Sequence, residues 1–176
     1  MQPFWIDAIR KNRHRPPEAA TTVRLARVKL LQSMPIFGGV TQETLEFLID
    51  QATIHHLEPH EYFFHEGDRA ISMFVLEKGK VVVSKKWNNR PHPVKHLGPG
   101  DCFGEMALLD LYPRSASVIA EEPCDAIELG REVLLNLSLH NLEQFAIIQM
   151  NIGREISRRL RTADDQLFRS KFGPAQ

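Results

Sequence analysis

The feature that most constrains this chain's fold is a change of hydrophobic period. From about Ala52 to Gly130, short runs rich in Val, Ile, Phe and Tyr alternate with turn residues such as Gly79-Lys80 and Asn88-Asn89. Such runs predict strands, and many short strands at regular spacing favour an antiparallel barrel or jelly roll. The predicted strands are Thr53–Leu57, Tyr62–His65, Ser72–Glu77, Lys80–Lys86, Val94–Leu97, Arg114–Ala120 and Asp125–Leu129.

Helical periodicity lies on both sides of this stretch. Upstream, apolar residues recur every three or four positions from Ala19 to Ser33, and Thr41 is a suitable N-cap for a second helix. Downstream, the pattern predicts helices over Glu132–Leu139 and Asn141–Phe168. The last helix carries a single apolar stripe. Its members are Phe145, Ile148, Ile152, Ile156, Leu160, Ala163 and Leu167.

The predicted fold is therefore α+β: a β jelly-roll barrel between N-terminal helices and a long C-terminal helix. A chain of 176 residues is long enough for one domain of this kind. The expected segments lie in chain order. They are an N-terminal arm at 1–17, helices at 18–51, the barrel at 52–130, helices at 131–169 and a tail at 170–176.

Charge and composition exclude several classes of protein. The 22 basic and 22 acidic side chains balance overall, but residues 34–150 carry nine basic against seventeen acidic ones. An acidic centre is a poor general surface for nucleic acid, because that binding depends on Lys and Arg at phosphates. No apolar window reaches membrane-spanning length, and the N-terminus lacks a secretory signal pattern. Cys102 and Cys124 fit a reducing compartment, which predicts a cytoplasmic protein.

Residues 98–118 hold the densest group of side chains suited to ligand chemistry. Gly104 lets a backbone approach a ligand closely, and a short helical turn over 105–109 would present free N–H groups to an anion. Arg114 can hold a phosphate with two parallel hydrogen bonds, while Glu105 can accept hydrogen bonds from sugar hydroxyls. On these residues alone, a glycine-rich turn beside a buried salt bridge is the commoner alternative.

The stretch also resembles the phosphate-binding cassette of cyclic nucleotide-binding domains. That pattern is Phe-Gly-Glu, small or aliphatic residues, a short spacer and then Pro-Arg-Ser/Ala/Thr-Ala-Ser/Thr-Val. Here it reads Phe103-Gly104-Glu105-Met106-Ala107-Leu108-Leu109 and then Pro113-Arg114-Ser115-Ala116-Ser117-Val118. The resemblance extends over about residues 25–168, where Met34-Pro35-Ile36-Phe37 and Glu66-Gly67-Asp68 are also similar to family patterns.

The resemblance implies a set of ligand-binding residues. Glu105 is expected at the ribose 2′-hydroxyl, Arg114 at the exocyclic phosphate oxygens, and Ser115 at the phosphate or the base. The complete implied set is Phe103, Gly104, Glu105, Met106, Ala107, Arg114, Ser115 and Ala116.

The base is expected to face a second group of residues, and cAMP is favoured over cGMP as the ligand. In this family the final helix, or a residue just beyond it, caps the purine. The Arg158-Arg159-Leu160 tract matches that helix and gives the helix candidates. A strand position that matches guanine-selective relatives gives Lys95. The candidates are Lys95, Thr162, Ala163 and Asp164.

The function predicted from the sequence is that of a stand-alone, non-enzymatic regulatory sensor that signals through its C-terminal helix to an unidentified effector. A homodimer through residues 141–168 is expected, since related activators pair these helices. The eight residues after Phe168 leave no room for a DNA-binding helix, so direct DNA binding is not expected. No catalytic residue, metal ligand or cofactor is predicted.

The main alternative is a cupin-like metal-dependent enzyme, because cupins share the jelly roll and the barrel stretch is rich in histidine. Two features disfavour it. His55 and His56 are adjacent and so point to opposite faces of a strand, and no histidine follows Pro99-Gly100-Asp101 before the cassette. The histidines concerned are His55, His56, His60, His65, His92 and His96.

Overall fold

The computed structural model describes residues 18–173, so the expected arm at 1–17 and the last three residues of the tail lie outside the described residues. The helices lie at the two ends of this region, as the periodicity predicts. They are α1 (Glu18–Gln32), a 3₁₀ turn (Pro35–Phe37), α2 (Gln42–Gln51), α3 (Arg131–His140) and α4 (Leu142–Phe172).

Between the helices lie eight strands, paired into two four-stranded antiparallel sheets with the orders β1-β8-β3-β6 and β2-β7-β4-β5. Within residues 18–173 the two sheets do not join into one closed barrel, but the predicted α+β jelly-roll class is confirmed. The strands are β1 (Thr53–Leu57), β2 (Tyr62–Phe64), β3 (Ser72–Lys78), β4 (Val81–Trp87), β5 (Arg90–Leu97), β6 (Cys102–Phe103), β7 (Ser117–Ala120) and β8 (Cys124–Gly130).

Three strand predictions differ from the structure by more than one residue at a strand end. Strand β5 begins at Arg90 instead of Val94, because Pro91 and Pro93 are tolerated on a strand at the edge of its sheet. Arg114 was predicted inside a strand but lies in the loop before β7. The two-residue strand β6 was not predicted, since so short a run carries no alternation.

Alternation along β3 and β8 divides the apolar core into two layers. Met73 and Val75 face the helices, where they pack with Ile127 and Leu129 of β8. The intervening side chains face the opposite sheet. These are Phe74, Leu76 and Ala126. The first sheet is therefore covered on both faces, and the second sheet closes the inner layer.

Helix α4 is anchored by its first half. Thr41 caps α2 as predicted, and its backbone N–H donates to the buried side-chain oxygen of Gln144 at 2.8 Å. Asn151, also buried, donates to the carbonyl oxygen of Gly38 at 2.8 Å. Each helix within residues 18–173 is either too short or too polar to span a lipid bilayer.

Candidate functional site

A cavity of about 390 Å³ lies between the second sheet, the cassette and α4. Its walls come from β4 and β5, from the 3₁₀ turn Glu105–Leu108, from the loop before β7, and from Arg159 on α4. Eight of the twelve residues that the sequence analysis selected line it. They are Lys95, Phe103, Gly104, Glu105, Met106, Arg114, Ser115 and Ala116.

Gly104 begins the 3₁₀ turn in a left-handed conformation, with φ of 78°. Side chains other than glycine disfavour this conformation. A β-carbon at this position would also collide with the guanidinium group of Arg114. The glycine of the motif is therefore required twice, for the direction of the turn and for the space that the arginine occupies.

Arg114 is buried, and its guanidinium is held on several sides. Nη1 donates to the carbonyl oxygens of Ser72 at 2.7 Å and Gly104 at 3.0 Å, and Nη2 donates to Ser72 Oγ at 3.1 Å. The guanidinium carbon lies 4.0 Å from the ring centre of Phe64, a cation–π contact. Nε is buried and has no hydrogen-bond partner among residues 18–173.

The surroundings of Arg114 affect its charge and its position. Burial lowers the pKa of Arg114, and the nearby carboxylates of Glu128, Asp68 and Glu105 offset only part of this effect. The guanidinium nevertheless stays protonated, because an arginine titrates far above neutral pH. The Arg114 backbone N–H donates to the carbonyl oxygen of Asp68 at 2.9 Å, which fixes the loop.

Glu105 is only 3% exposed, and its carboxylate meets an arginine of α4. Arg159 Nη1 lies 2.6 Å from Glu105 Oε1, and Arg159 Nη2 donates to the carbonyl oxygen of Cys102 at 3.2 Å. Burial lowers the pKa of Arg159, but the carboxylates of Glu105 and Glu155 outweigh that effect, so the pKa is raised overall. The pair joins the cassette to α4 at the cavity wall.

Sequence reasoning did not select Arg159. The sequence shows Arg158 and Arg159 side by side on a helix, so their side chains point in different directions. Which of the two faces the cavity depends on how the helix packs. In the structure the Arg158 side chain is 61% exposed and pairs with Glu155, whereas Arg159 reaches the cavity. Tyr112 also lines the cavity and was not selected.

Three of the selected residues that the structure describes do not line the cavity. Thr162, Ala163 and Asp164 are exposed on α4, and the Thr162 hydroxyl donates to the carbonyl oxygen of Arg158 at 3.1 Å. Ala107 lies in the 3₁₀ turn Glu105–Leu108. A role for these four residues at the ligand stays a prediction.

Three histidines of the strands pair with carboxylates. His55 lies 2.7 Å from Glu128, and His96 lies 2.9 Å from Glu121. His56 contacts Asp125 at 2.6 Å on the opposite face of β1 from His55. Across residues 18–173, no three His, Cys, Asp or Glu side chains come together where they could hold a metal ion.

Comparisons with known proteins match both the sequence and the fold. The cyclic AMP receptor protein of Thermus thermophilus is 29% identical over 147 residues, which cover 83% of this chain and 66% of that protein. The cGMP-dependent protein kinase 2 of Homo sapiens is 34% identical over 94 residues, 52% of this chain and 12% of the kinase. The chain thus spans less than two thirds of the length of these relatives.

The fold of the chain is also similar to that of a solved structure. The regulatory domain of Toxoplasma gondii PKA, crystallised with cAMP, matches with a TM-score of 0.62 at 29% identity, over 65% of this chain and 44% of that one. A family model described as "Cyclic nucleotide-binding domain" matches residues 54–141, from β1 to the end of α3. This range is half of the chain and contains the whole cassette. The chain therefore belongs to the cyclic nucleotide-binding domain family.

Proposed function

We propose that this protein is a regulatory sensor that binds cAMP in the cavity, with cGMP as the second choice, and signals through α4. One observation carries the proposal. A buried carboxylate, Glu105, and a buried guanidinium, Arg114, reach the same cavity from the two ends of the cassette. A ribose cyclic phosphate needs an acceptor for its hydroxyl and a cation for its phosphate, at one fixed separation.

The phosphate is assigned to Arg114 and to backbone N–H groups of the 3₁₀ turn and of Ala116. Arg114 Nε is buried without a partner in residues 18–173, so an oxyanion would supply an acceptor that this donor lacks. A hydrogen bond between charged groups contributes about 1.5–3 kcal/mol. Micromolar affinity corresponds to about 8 kcal/mol, so the ribose and the base must supply the remainder.

The ribose is assigned to Glu105. Its carboxylate already accepts a hydrogen bond from Arg159, and a second lone pair can accept one from the 2′-hydroxyl. The preference for cAMP is supported by a relative that covers 83% of this chain and is named a cyclic AMP receptor protein.

Signalling is assigned to α4 because Arg159 shares Glu105 with the ligand. A ligand shifts a conformational equilibrium only by its different affinity for the two states. A nucleotide bound at Glu105 contacts the partner of Arg159 directly, and so favours one position of the helix. Leu108, at the end of the 3₁₀ turn, packs against the helical core layer and can transmit the same change.

We also propose that two copies pair through residues 141–168. Leu160 and Leu167 of the apolar stripe are exposed in the single chain, as is Phe168 beside them. Light scattering at tens of micromolar is expected to give a dimer for the wild type and a monomer for Leu160→Glu. A monomeric wild type would contradict this part of the proposal.

Calorimetry with cAMP, cGMP and a cyclic dinucleotide tests the binding site. Arg114→Leu should weaken cAMP binding at least about tenfold, since one lost contact of about 1.4 kcal/mol has this effect. Arg90→Leu, which removes an exposed arginine outside the cavity lining, is the matched control and should bind normally. Unchanged affinity in a folded Arg114→Leu protein would refute the site.

The ribose contact is tested with 2′-deoxy cAMP, which should bind markedly worse than cAMP. A site built to hydrogen-bond a hydroxyl rejects an analogue that lacks it, because its own polar group is left unpaired. Equal affinity for the two nucleotides would remove Glu105 from this role.

A further inference from the structure

The loop between the 3₁₀ turn and Arg114 places a tyrosine at the mouth of the cavity. Tyr112 lines the cavity although 72% of its surface is exposed. Single exposed aromatic residues are common on protein surfaces, so exposure alone indicates nothing. The position of this ring relative to the other aromatic rings in the cavity is more informative.

Tyr112 is the lining aromatic residue whose ring is free. Phe64 is covered by the guanidinium of Arg114, and Phe103 stacks on Phe74 with ring centres 5.4 Å apart. Both are therefore committed to the inner core layer. Within residues 18–173 the Tyr112 ring has no ring partner, and the Tyr112 backbone N–H donates a hydrogen bond to Asp110 Oδ1 at 3.1 Å.

The backbone beside Tyr112 is held in an unfavourable conformation. Leu111 has φ of 58°, in the left-handed region that leucine rarely adopts. The Asp110 side chain stabilises the turn through its hydrogen bond to the Tyr112 N–H. Leu111 is exposed and does not line the cavity, whereas the next residue does. Strain of this kind persists where the surrounding structure specifies the direction of the chain.

The remaining walls match one face of a flat heterocycle. Val83 of β4 and Val94 and Leu97 of β5 form an apolar wall, while α4 contributes Arg159 alone to the lining. A purine has two apolar faces, and an aromatic ring is a suitable cover for either one. The helix residues Thr162–Asp164 lie outside the lining and carry no ring.

We propose that Tyr112 stacks on the purine base of the bound nucleotide, so that the cassette loop rather than α4 supplies the base cap. This inference rests on the proposed function and extends it to the base. Stacking on an aromatic ring tolerates any base, because every base has a π-face. Tyr112 therefore strengthens the binding of cAMP and cGMP alike and does not select between them.

Calorimetry on four proteins tests the cap: the wild type, Tyr112→Ala, Tyr112→Phe and Tyr62→Ala. Tyr112→Ala should lose on the order of tenfold in affinity for both cAMP and cGMP, whereas Tyr112→Phe should stay within about twofold. Tyr62→Ala is the matched control, because this tyrosine stacks on His65 and does not line the cavity. It should bind as the wild type does.

A ribose cyclic phosphate without a base separates stacking from a change in the loop. The wild type and Tyr112→Ala should bind it equally. Equal cAMP affinity in Tyr112→Ala and the wild type would overturn the inference, as would an equal loss for the base-free analogue. A loss in Asp164→Ala with none in Tyr112→Ala would place the cap on α4 and also overturn it.

A spectroscopic readout checks the contact directly. In Tyr112→Trp, added cAMP should change the tryptophan emission by more than it does in the wild type, whose tryptophans include the exposed Trp87. Identical changes would contradict stacking at this position. A wild type that binds no nucleotide would refute the proposed function itself, whereas binding that is insensitive to Tyr112 refutes the base cap alone.

Discussion

The first half of α4 is fastened to the domain by buried groups, whereas the second half reaches it through far fewer contacts. Before Gly153, Ile148 and Ile152 are fully buried, and the Asn151 side chain donates to the carbonyl oxygen of Gly38. After Gly153, Ile156 still packs partly against the core, and Arg159 pairs with Glu105. Beyond that pair the large apolar residues are exposed. These are Leu160, Leu167, Phe168 and Phe172.

The difference in burial between the two halves of α4 indicates where a ligand can act on the helix. A helix in water owes most of its stability to packing, so the second half can open at a lower free-energy cost than the first. The ion pair between Arg159 and Glu105, which connects the second half of α4 to the cassette, lies at the cavity wall. In the proposed mechanism, a bound nucleotide therefore acts on the half of α4 that has fewer buried contacts with the domain.

The largest expected change in the free energy of unfolding comes from substitution of a buried residue in the first half of α4. Ile152→Ala should lower the free energy of unfolding by about 2–5 kcal/mol, because it leaves a cavity in the helical core layer. Leu167→Ala should change it by less than about 0.5 kcal/mol, as expected for an exposed side chain. Urea unfolding measures both, at low protein concentration. Equal losses would mean that the second half is as well packed as the first.

The next effect concerns the pair between Arg159 and Glu105. Arg159→Leu leaves the buried carboxylate of Glu105 without its cation, and should cost about 1–3 kcal/mol of stability. The Arg159 side chain is 35% exposed, so the effect should be smaller than for a fully buried ion pair. Hydrogen exchange should accelerate over residues 160–172 and leave residues 142–152 unchanged.

Cys102 reports on the same opening, because its Sγ lies 3.8 Å from Arg159 Nη2. Burial raises the pKa of the Cys102 thiol to about 12, so at pH 7–8 it is protonated and slow to react with a thiol reagent. Arg159→Leu should speed its labelling, while Cys124, buried at the start of β8, should keep its rate.

The matched control for this substitution is Arg158→Leu. Arg158 is largely exposed and pairs with Glu155 on its own helix, so the variant should resemble the wild type in both stability and labelling. Faster labelling of Cys102 in Arg158→Leu would assign the effect to general loss of charge on α4.

The smallest effect is expected at the junction of the two halves. A β-carbon added at Gly153 would have no atom within 4 Å, and the backbone there is helical. Gly153→Ala should therefore stabilise the protein by about 0.5–1 kcal/mol, because alanine favours the helix. The urea midpoint should rise and exchange beyond residue 153 should slow. A lower midpoint would show that the helix needs glycine at this position.

Much of the fold was predictable because its signals are local. The predicted β1, Thr53–Leu57, agrees residue for residue with the structure, and the other strand ends mostly shift by one or two positions. The long helix was predicted over Asn141–Phe168 and extends over Leu142–Phe172. The exceptions are β5, where the pairing of an edge strand with β4 overrides two prolines, and β7, which begins at Ser117 instead of Arg114.

The residues of the candidate site likewise divide into those that a local sequence pattern predicts and those that it does not. The cassette pattern identified Gly104, Glu105 and Arg114, because the turn, the carboxylate and the guanidinium lie within eleven consecutive residues. The pattern could not identify Arg159, which is 54 residues away from Glu105 in sequence. A separate match to the final helix of the family assigned the base to Thr162–Asp164; these residues lie outside the cavity lining, and their role stays a prediction.

The order of helices and strands and the content of the cassette follow from local sequence signals, because hydrophobic period, turn residues and motif spacing act over a few positions. Three features depend on tertiary packing instead: the choice between two adjacent arginines at Glu105, the burial of one half of α4, and the position of Tyr112 at the cavity mouth. These outcomes depend on how a helix rotates against a sheet and how a strained loop turns. Both are set by contacts between residues distant in sequence.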